Sequence, residues 1–146
     1  MERVSKDKYY LDIAAAVAAR STCLHKHYGA VIVSNDMIIA TGYNGSPRGE
    51  ANCCDTGHCY CDEHELPCSP GAVKHGSKYG SCVAVHAEQN ALINAPGHEL
   101  RGATLYLAGY SPVTKKWIAA TPCNICDRMI KNAGITRVVT KEADDE

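Results

Sequence analysis

The sequence predicts an α/β fold of three layers, α/β/α, with a central mixed sheet of about five strands and helices on both of its faces. Two observations carry this. Short apolar runs rich in Val and Ile alternate along the chain with stretches of helical period. No internal repeat or break in composition divides the chain, and 146 residues suit a single domain spanning 1–146.

Residues 6–20 form the first helix, because Tyr10, Ile13, Ala14, Val17 and Ala18 recur on one face at helical spacing. That face is what a helix packed on a sheet requires. Arg20 and Cys23 follow at the helix end, just before the first strand, where ligand-facing loops often start. Residues 29–34 and 37–43 read as two strands, and Asn35-Asp36 between them as a tight two-residue hairpin turn. The next segment, Gly42-Tyr43-Asn44-Gly45-Ser46-Pro47-Arg48-Gly49, has glycines that let a backbone approach a ligand closely. Asn44 offers both a donor and an acceptor. By spacing alone the segment reads slightly better as an ordinary Gly/Pro turn.

Residues 51–82 show neither a strand nor a helix period, and Cys and His crowd this inserted loop (about 50–82). A loop of this length needs something to hold it, and a metal could do so, since metal-binding free energy becomes folding free energy. Counting donors does not decide which of them bind. Residues 87–95 read as a helix ended by Pro96-Gly97, and 104–108 as a strand. Residues 109–116 read as a hairpin excursion that returns through 117–120. Residues 124–133 form a helix stopped at Gly134, 136–140 a last strand, and 141–146 a charged, frayed tail.

Composition narrows the function. A formal charge of -1 leaves no electrostatic footprint for nucleic acid. No apolar run approaches membrane-spanning length and no signal peptide is evident, so a cytoplasmic protein is expected. Nine cysteines would suit a secreted disulfide framework, but the odd count and a Cys-x-x-Cys at a helix start favour zinc-bound thiolates in a reducing compartment. Phe is absent while Tyr occurs eight times, which nothing in the sequence explains.

The chemistry concentrates in His86-Ala87-Glu88 and Pro122-Cys123-Asn124-Ile125-Cys126. A neutral imidazole and two thiolates suit zinc, and three protein ligands leave a fourth position for water, the mark of a catalytic site. Such a water ionises near neutral pH. Glu88, two residues beyond His86, can sit beside it without being a ligand and carry its proton. His86 and the two cysteines fall at the starts of two helices, whose positive ends favour thiolate. A lone Cys-x-x-Cys is often half of a structural zinc site or a redox pair, and a lone His-x-Glu is noise. The two together are far more specific, and are the signature of zinc nucleobase deaminases.

With these residues in place, the chain resembles the deoxycytidylate (dCMP) deaminase family of the cytidine deaminase superfamily, in its short bacterial and phage branch. The likeness runs over about residues 9–139. It rests on Tyr9-Tyr10-Leu11-Asp12-Ile13-Ala14, Thr22-Cys23-Leu24, Tyr28-Gly29-Ala30-Val31-Ile32-Val33, Thr41-Gly42-Tyr43-Asn44-Gly45, His86-Ala87-Glu88-Gln89-Asn90-Ala91 and the Pro122 to Cys126 motif. The resemblance implies the cytidine deaminase-like fold, a catalytic zinc on His86, Cys123 and Cys126, and Glu88 as proton shuttle. It places the substrate phosphate on Arg20 and the deoxynucleotide on Asn44, with Tyr43, Gly45 and Lys78 as further candidates for substrate or effector contact. It implies a second, structural zinc on Cys23, Cys53, Cys59 and Cys82, with His58 a possible substitute for Cys59 and Cys54, Cys61 and Cys68 unassigned. Many members carry a His seven residues before the zinc histidine; here that position is Tyr79, with Lys78 adjacent.

The expected reaction is zinc-dependent deamination of dCMP to dUMP and ammonia in pyrimidine nucleotide metabolism. The family is typically a hexamer activated by dCTP and inhibited by dTTP. The alternatives are a bifunctional enzyme that also takes dCTP, a zinc deaminase of another substrate such as a polynucleotide or a free nucleoside, and a non-catalytic zinc-binding module.

Overall fold

In the computed structural model, which describes residues 1–63 and 82–145, a five-stranded mixed sheet is covered by helices on both faces. The elements are α1 (Lys6–Ala18), β1 (His27–Ser34), β2 (Met37–Tyr43), α2 (Cys53–Thr56), α3 (Tyr60–Glu63), α4 (Ala87–Asn94), β3 (Thr104–Ser111), β4 (Lys116–Ile118), α5 (Asn124–Ala133) and β5 (Arg137–Thr140). The strand order is β2-β1-β3, and the far edge of β3 is shared. There β5 runs parallel to Thr104, Leu105, Tyr106 and Leu107, while β4 runs antiparallel to Gly109, Tyr110 and Ser111.

The β1–β2 hairpin turns on Asn35 (φ 50°) and Asp36 (φ 59°), a left-handed pair that suits the right-handed twist of the strands. Asn and Asp tolerate that region because their short side chains bond locally. Ser5 caps α1, its hydroxyl accepting from the Lys8 N–H at 3.1 Å. The Tyr10 hydroxyl donates to Asp36 at 2.7 Å and ties α1 to the hairpin.

Alternation along the strands divides the core in two. Val31, Val33, Tyr106 and Ala108 face α1, where they meet Tyr10 and Ala14. Ala30, Ile32, Leu105 and Leu107 face the other way, against Ala87 and Ala91 of α4 and Cys126 and Ile130 of α5. Small residues bring the layers close. A Cβ at Gly29 would lie 2.1 Å from the Ala14 carbonyl oxygen, and one at Gly42 would lie 2.3 Å from the Ala91 nitrogen. Helix backbones therefore rest directly on the sheet at both positions.

Several boundaries differ from the sequence reading. Strand β3 runs on to Ser111, so Gly109 and Tyr110 belong to the sheet, and the excursion shrinks to the turn before Lys116. Strand β1 starts earlier, at His27, and α1 ends earlier, at Ala18. The Cys-rich loop holds two four-residue helices, α2 and α3, too short to show a period. His64, Cys68, His75, Lys78 and Tyr79 lie outside the described residues.

The close approach at Gly42 has a measurable consequence. Gly42→Ala sets a methyl group against helix backbone, which cannot swing aside, and is expected to cost about 1–3 kcal/mol or more. Gly97→Ala, where a Cβ meets nothing within 4 Å, is the control and is expected to melt with the wild type.

The start of α1 is clamped to two strands. Arg137 of β5 donates to Asp7 at 2.8 Å, and so does the Tyr106 hydroxyl of β3, also at 2.8 Å. The hydrogen bond from Arg137, then that from Tyr106, holds the Asp7 carboxyl down at about 2. Because the folded pKa lies below the unfolded one, the stabilisation is present above about pH 4 and fades as pH falls toward about 2. Asp7→Asn is expected to lower Tm at neutral pH. Thermal melts across this acid range should show the gap between the two proteins closing as pH falls.

Candidate metal centre and active site

Two helix starts face each other beneath the sheet. His86 is the N-cap residue of α4, in extended conformation, and its N–H donates to Gln89 Oε1 at 2.9 Å. Cys123 is the N-cap residue of α5, and its sulfur accepts from the Cys126 N–H at 3.4 Å. His86 Nδ1 lies 3.2 Å from Cys126 Sγ and 3.6 Å from Cys123 Sγ. All three donor atoms fall within 4.8 Å of one another. The segment leading to His86 is pinned by a two-bond bridge, Gly45 N–H to the Val85 carbonyl at 3.1 Å and Val85 N–H to the Gly45 carbonyl at 2.7 Å.

Glu88, in the first turn of α4, is only 6% exposed. Burial pushes its carboxyl pKa up, against the pull of its own backbone N–H and of His86. Cys126 is also pushed up, first by its hydrogen bond with Cys123 and then by burial. Burial works against charging His86, but the hydrogen bond and charge of Cys123, with Glu88 behind them, hold its pKa above the ordinary value. Left to themselves, these groups compete for protons. A dication at their centre inverts those preferences, since it favours thiolate and neutral imidazole. One imidazole and two thiolates at this spacing are a donor set that fits zinc.

His86 and Glu88 form part of the wall of a cavity of about 70 Å³. The same wall carries Thr22, Cys23, Tyr28, Asn44, Gly45, Cys53, Cys59, Cys61 and Cys82. Every cysteine of the expected structural set is therefore on it. Burial raises the pKa of Cys23, with Cys59 and Cys53 adding to the rise. The other tight donor set among the described residues is His25, Cys59 and Asp62, in which His25 Nε2 lies 2.7 Å from Asp62. His58 is exposed, and Cys54 is exposed beside Asp55.

The expected substrate contacts are distributed unevenly. Asn44 is buried at the cavity wall, but its carboxamide is engaged by the protein's own backbone. Its Oδ1 accepts from the Tyr28 N–H at 2.8 Å and its Nδ2 donates to the Lys26 carbonyl at 2.9 Å. Gly45 lines the cavity, with the Thr22 hydroxyl 2.4 Å from where a Cβ would sit. Gly42 faces helix α4 rather than a ligand. Tyr43 is 38% exposed, and its carbonyl accepts from Asn90. Arg20 is exposed in the turn after α1. Neither Tyr43 nor Arg20 is among the described residues of the wall, and Lys78 lies outside the described residues. Tyr28 and Cys61 are on the wall without having been assigned a role from sequence. Cys61 was one thiol among many in its loop, and Tyr28 stood just before the expected strand, in a segment that carried the resemblance but no role of its own.

Residues 4–142 match the family described as the cytidine and deoxycytidylate deaminase zinc-binding region, and the chain belongs to that family. It is 40% identical over 139 residues to the deoxycytidylate deaminase of Mycobacterium phage D29, covering 95% of this chain and 96% of that one. It is 35% identical over 137 residues to the deoxycytidylate deaminase of Schizosaccharomyces pombe, covering 94% of this chain but 37% of the yeast protein. The crystal structure of dCMP deaminase from cyanophage S-TIM5 in apo form superposes with a TM-score of 0.66 at 24% identity. It covers 97% of this chain and 86% of that chain, and the likeness bears out the cytidine deaminase-like fold.

The geometry sets an outcome for metal analysis. Wild-type protein is expected to purify with zinc, and His86→Ala or Cys126→Ala to lose at least one zinc per chain by elemental analysis, a donor being gone from a three-ligand set. Unchanged metal content in both variants would place the ion elsewhere.

Proposed function

We propose that the chain is a zinc-dependent dCMP deaminase, producing dUMP and ammonia. The observation that carries the proposal is the buried Glu88 carboxyl on a cavity wall beside three converging soft donors. The identity to the phage D29 deoxycytidylate deaminase over nearly the whole of both chains supports the choice of substrate.

His86, Cys123 and Cys126 would hold the zinc, which when bound would supply a water acidic enough to act at neutral pH. Glu88 accepts a proton from the attacking water and passes it to the ring nitrogen next to the amino-bearing carbon. That carbon becomes more electrophilic and takes the oxygen. Glu88 then carries the remaining hydroxyl proton to the amino group, and the carbon–nitrogen bond breaks to release ammonia. One water is consumed, and the pyrimidine ends as a uracil.

The same reading assigns a structural zinc to Cys23, Cys53, Cys59 and Cys82, supported by their shared place on the cavity wall. Arg20 for the phosphate, Asn44 for the deoxynucleotide, a hexameric assembly, a cytoplasmic location, activation by dCTP and inhibition by dTTP all rest on the family resemblance.

Glu88→Gln separates shape from chemistry. The variant is expected to keep its zinc and melt like the wild type, while ammonia release from dCMP falls about 10²–10⁴-fold. Turnover at the wild-type rate would remove Glu88 from the mechanism. The same assay, run on dCMP, dCTP, deoxycytidine and single-stranded DNA with and without dTTP, is expected to show turnover of dCMP that dTTP suppresses.

A further inference from the structure

Strand β1 presents Tyr28 directly opposite Gly109 of β3. The pairing is tight. A Cβ at residue 109 would lie 2.8 Å and 3.0 Å from two atoms of the Tyr28 ring and 3.1 Å from the Ile118 side chain. Only the bare backbone of a glycine lets the ring lie across β3. The backbone of Tyr28 is fixed as well, since its N–H donates to Asn44 Oδ1 at 2.8 Å and its carbonyl accepts from the Asn44 N–H at 3.3 Å. A rigid aromatic is thus held on the wall of the cavity that contains His86 and Glu88.

The hydroxyl at the end of that ring has no task within the described part of the fold. Among the described residues no group hydrogen-bonds to it, whereas the Tyr10 and Tyr106 hydroxyls are bound to Asp36 and Asp7. Among the described residues no buried side-chain oxygen or nitrogen lacks a partner, so this hydroxyl is not sealed in the core. A partly buried ring on a cavity wall, with a reachable hydroxyl and no partner among the described residues, is built to meet something that enters the cavity.

We propose that Tyr28 is a substrate-contacting residue, whose ring closes one side of the base cavity and whose hydroxyl hydrogen-bonds to the bound nucleotide, held in place by Gly109 and Asn44. The inference rests on the deaminase reading and adds a residue to it. Burial first, then Glu88 and Cys23, push the phenol pKa up to about 12, so the group stays protonated and can donate at neutral pH. The contact exists before and during reaction alike, so it acts on binding more than on the chemical step.

The test compares wild type, Tyr28→Phe and Gly109→Ala, all zinc-loaded. Phe preserves the ring and removes only a hydroxyl that bonds to no described residue. A neutral hydrogen bond lost on binding predicts a KM for dCMP raised about threefold to tenfold, with kcat little changed. The Kd for the product dUMP, measured by calorimetry without turnover, should rise by a similar factor. Gly109→Ala keeps the hydroxyl but displaces the ring, and is expected to reproduce both rises with zinc content intact. KM and Kd within about twofold of wild type in either variant, or a loss confined to kcat, would overturn the assignment. A zinc-loaded wild-type chain that leaves dCMP untouched overturns the deaminase reading, and this inference with it.

Discussion

The meeting of two helix N-termini is the constraint from which the rest follows. His86 and Cys126 are 40 residues apart in sequence, yet their donor atoms lie 3.2 Å apart. Neither helix is long: α4 has 8 residues and α5 has 10. Short helices hold such a geometry only if something larger fixes them, and the sheet does so. Ala87 and Ala91 of α4 and Cys126 and Ile130 of α5 pack against Ala30, Ile32, Leu105 and Leu107 in one core cluster. The same burial that positions the donors removes water from Glu88, so the arrangement that could hold a cation also raises the carboxyl's proton affinity.

Glycine governs how closely the layers approach, and each instance faces a different neighbour. At Gly29 the neighbour is the α1 backbone, and at Gly42 it is the α4 backbone. At Gly109 it is an aromatic ring from the next strand. Backbone neighbours cannot yield, so the first two positions set the thickness of the fold. A ring can yield, so the third sets the shape of a cavity wall. The distinction separates substitutions that unfold the protein from those that retune a site within an intact fold.

Much of this was legible in one dimension, for identifiable reasons. The Asn35-Asp36 turn was readable because few residues adopt positive φ at two consecutive positions, and strand β2 was bounded correctly by that turn and by the glycine-rich segment after it. The convergence of His86, Cys123 and Cys126 was readable because an imidazole, two thiolates and a carboxylate at helix starts have few other joint uses. Gly109 read as a turn residue for the same local reason that hid its role: a glycine in a strand signals a break unless its cross-strand partner is known. That partner, Tyr28, lies 81 residues away in sequence and is revealed only by register. Asn44 has a structural task that spacing alone did not reveal. Its side chain can bond in two directions, and the fold uses both to fasten the start of β1.

The Cys-rich segment is coupled to the site by contact rather than by sequence proximity. The Cys54 N–H donates to the Thr22 carbonyl at 3.1 Å, and the Thr22 N–H donates to the Asn44 carbonyl at 3.3 Å. Asn44 in turn fixes Tyr28. A chain of hydrogen bonds therefore runs from α2, through the turn after α1, to the strand that carries the cavity's aromatic wall. Helices of four residues have no stability of their own, so α2 and α3 depend on what holds their ends. Buried thiols on that wall gain little from one another as neutral groups, but a shared dication would convert them into strong anchors. An ion bound there would stabilise the loop and, through Thr22 and Asn44, stiffen the cavity wall, so that one binding event would serve both folding and the geometry in which the nucleotide is received.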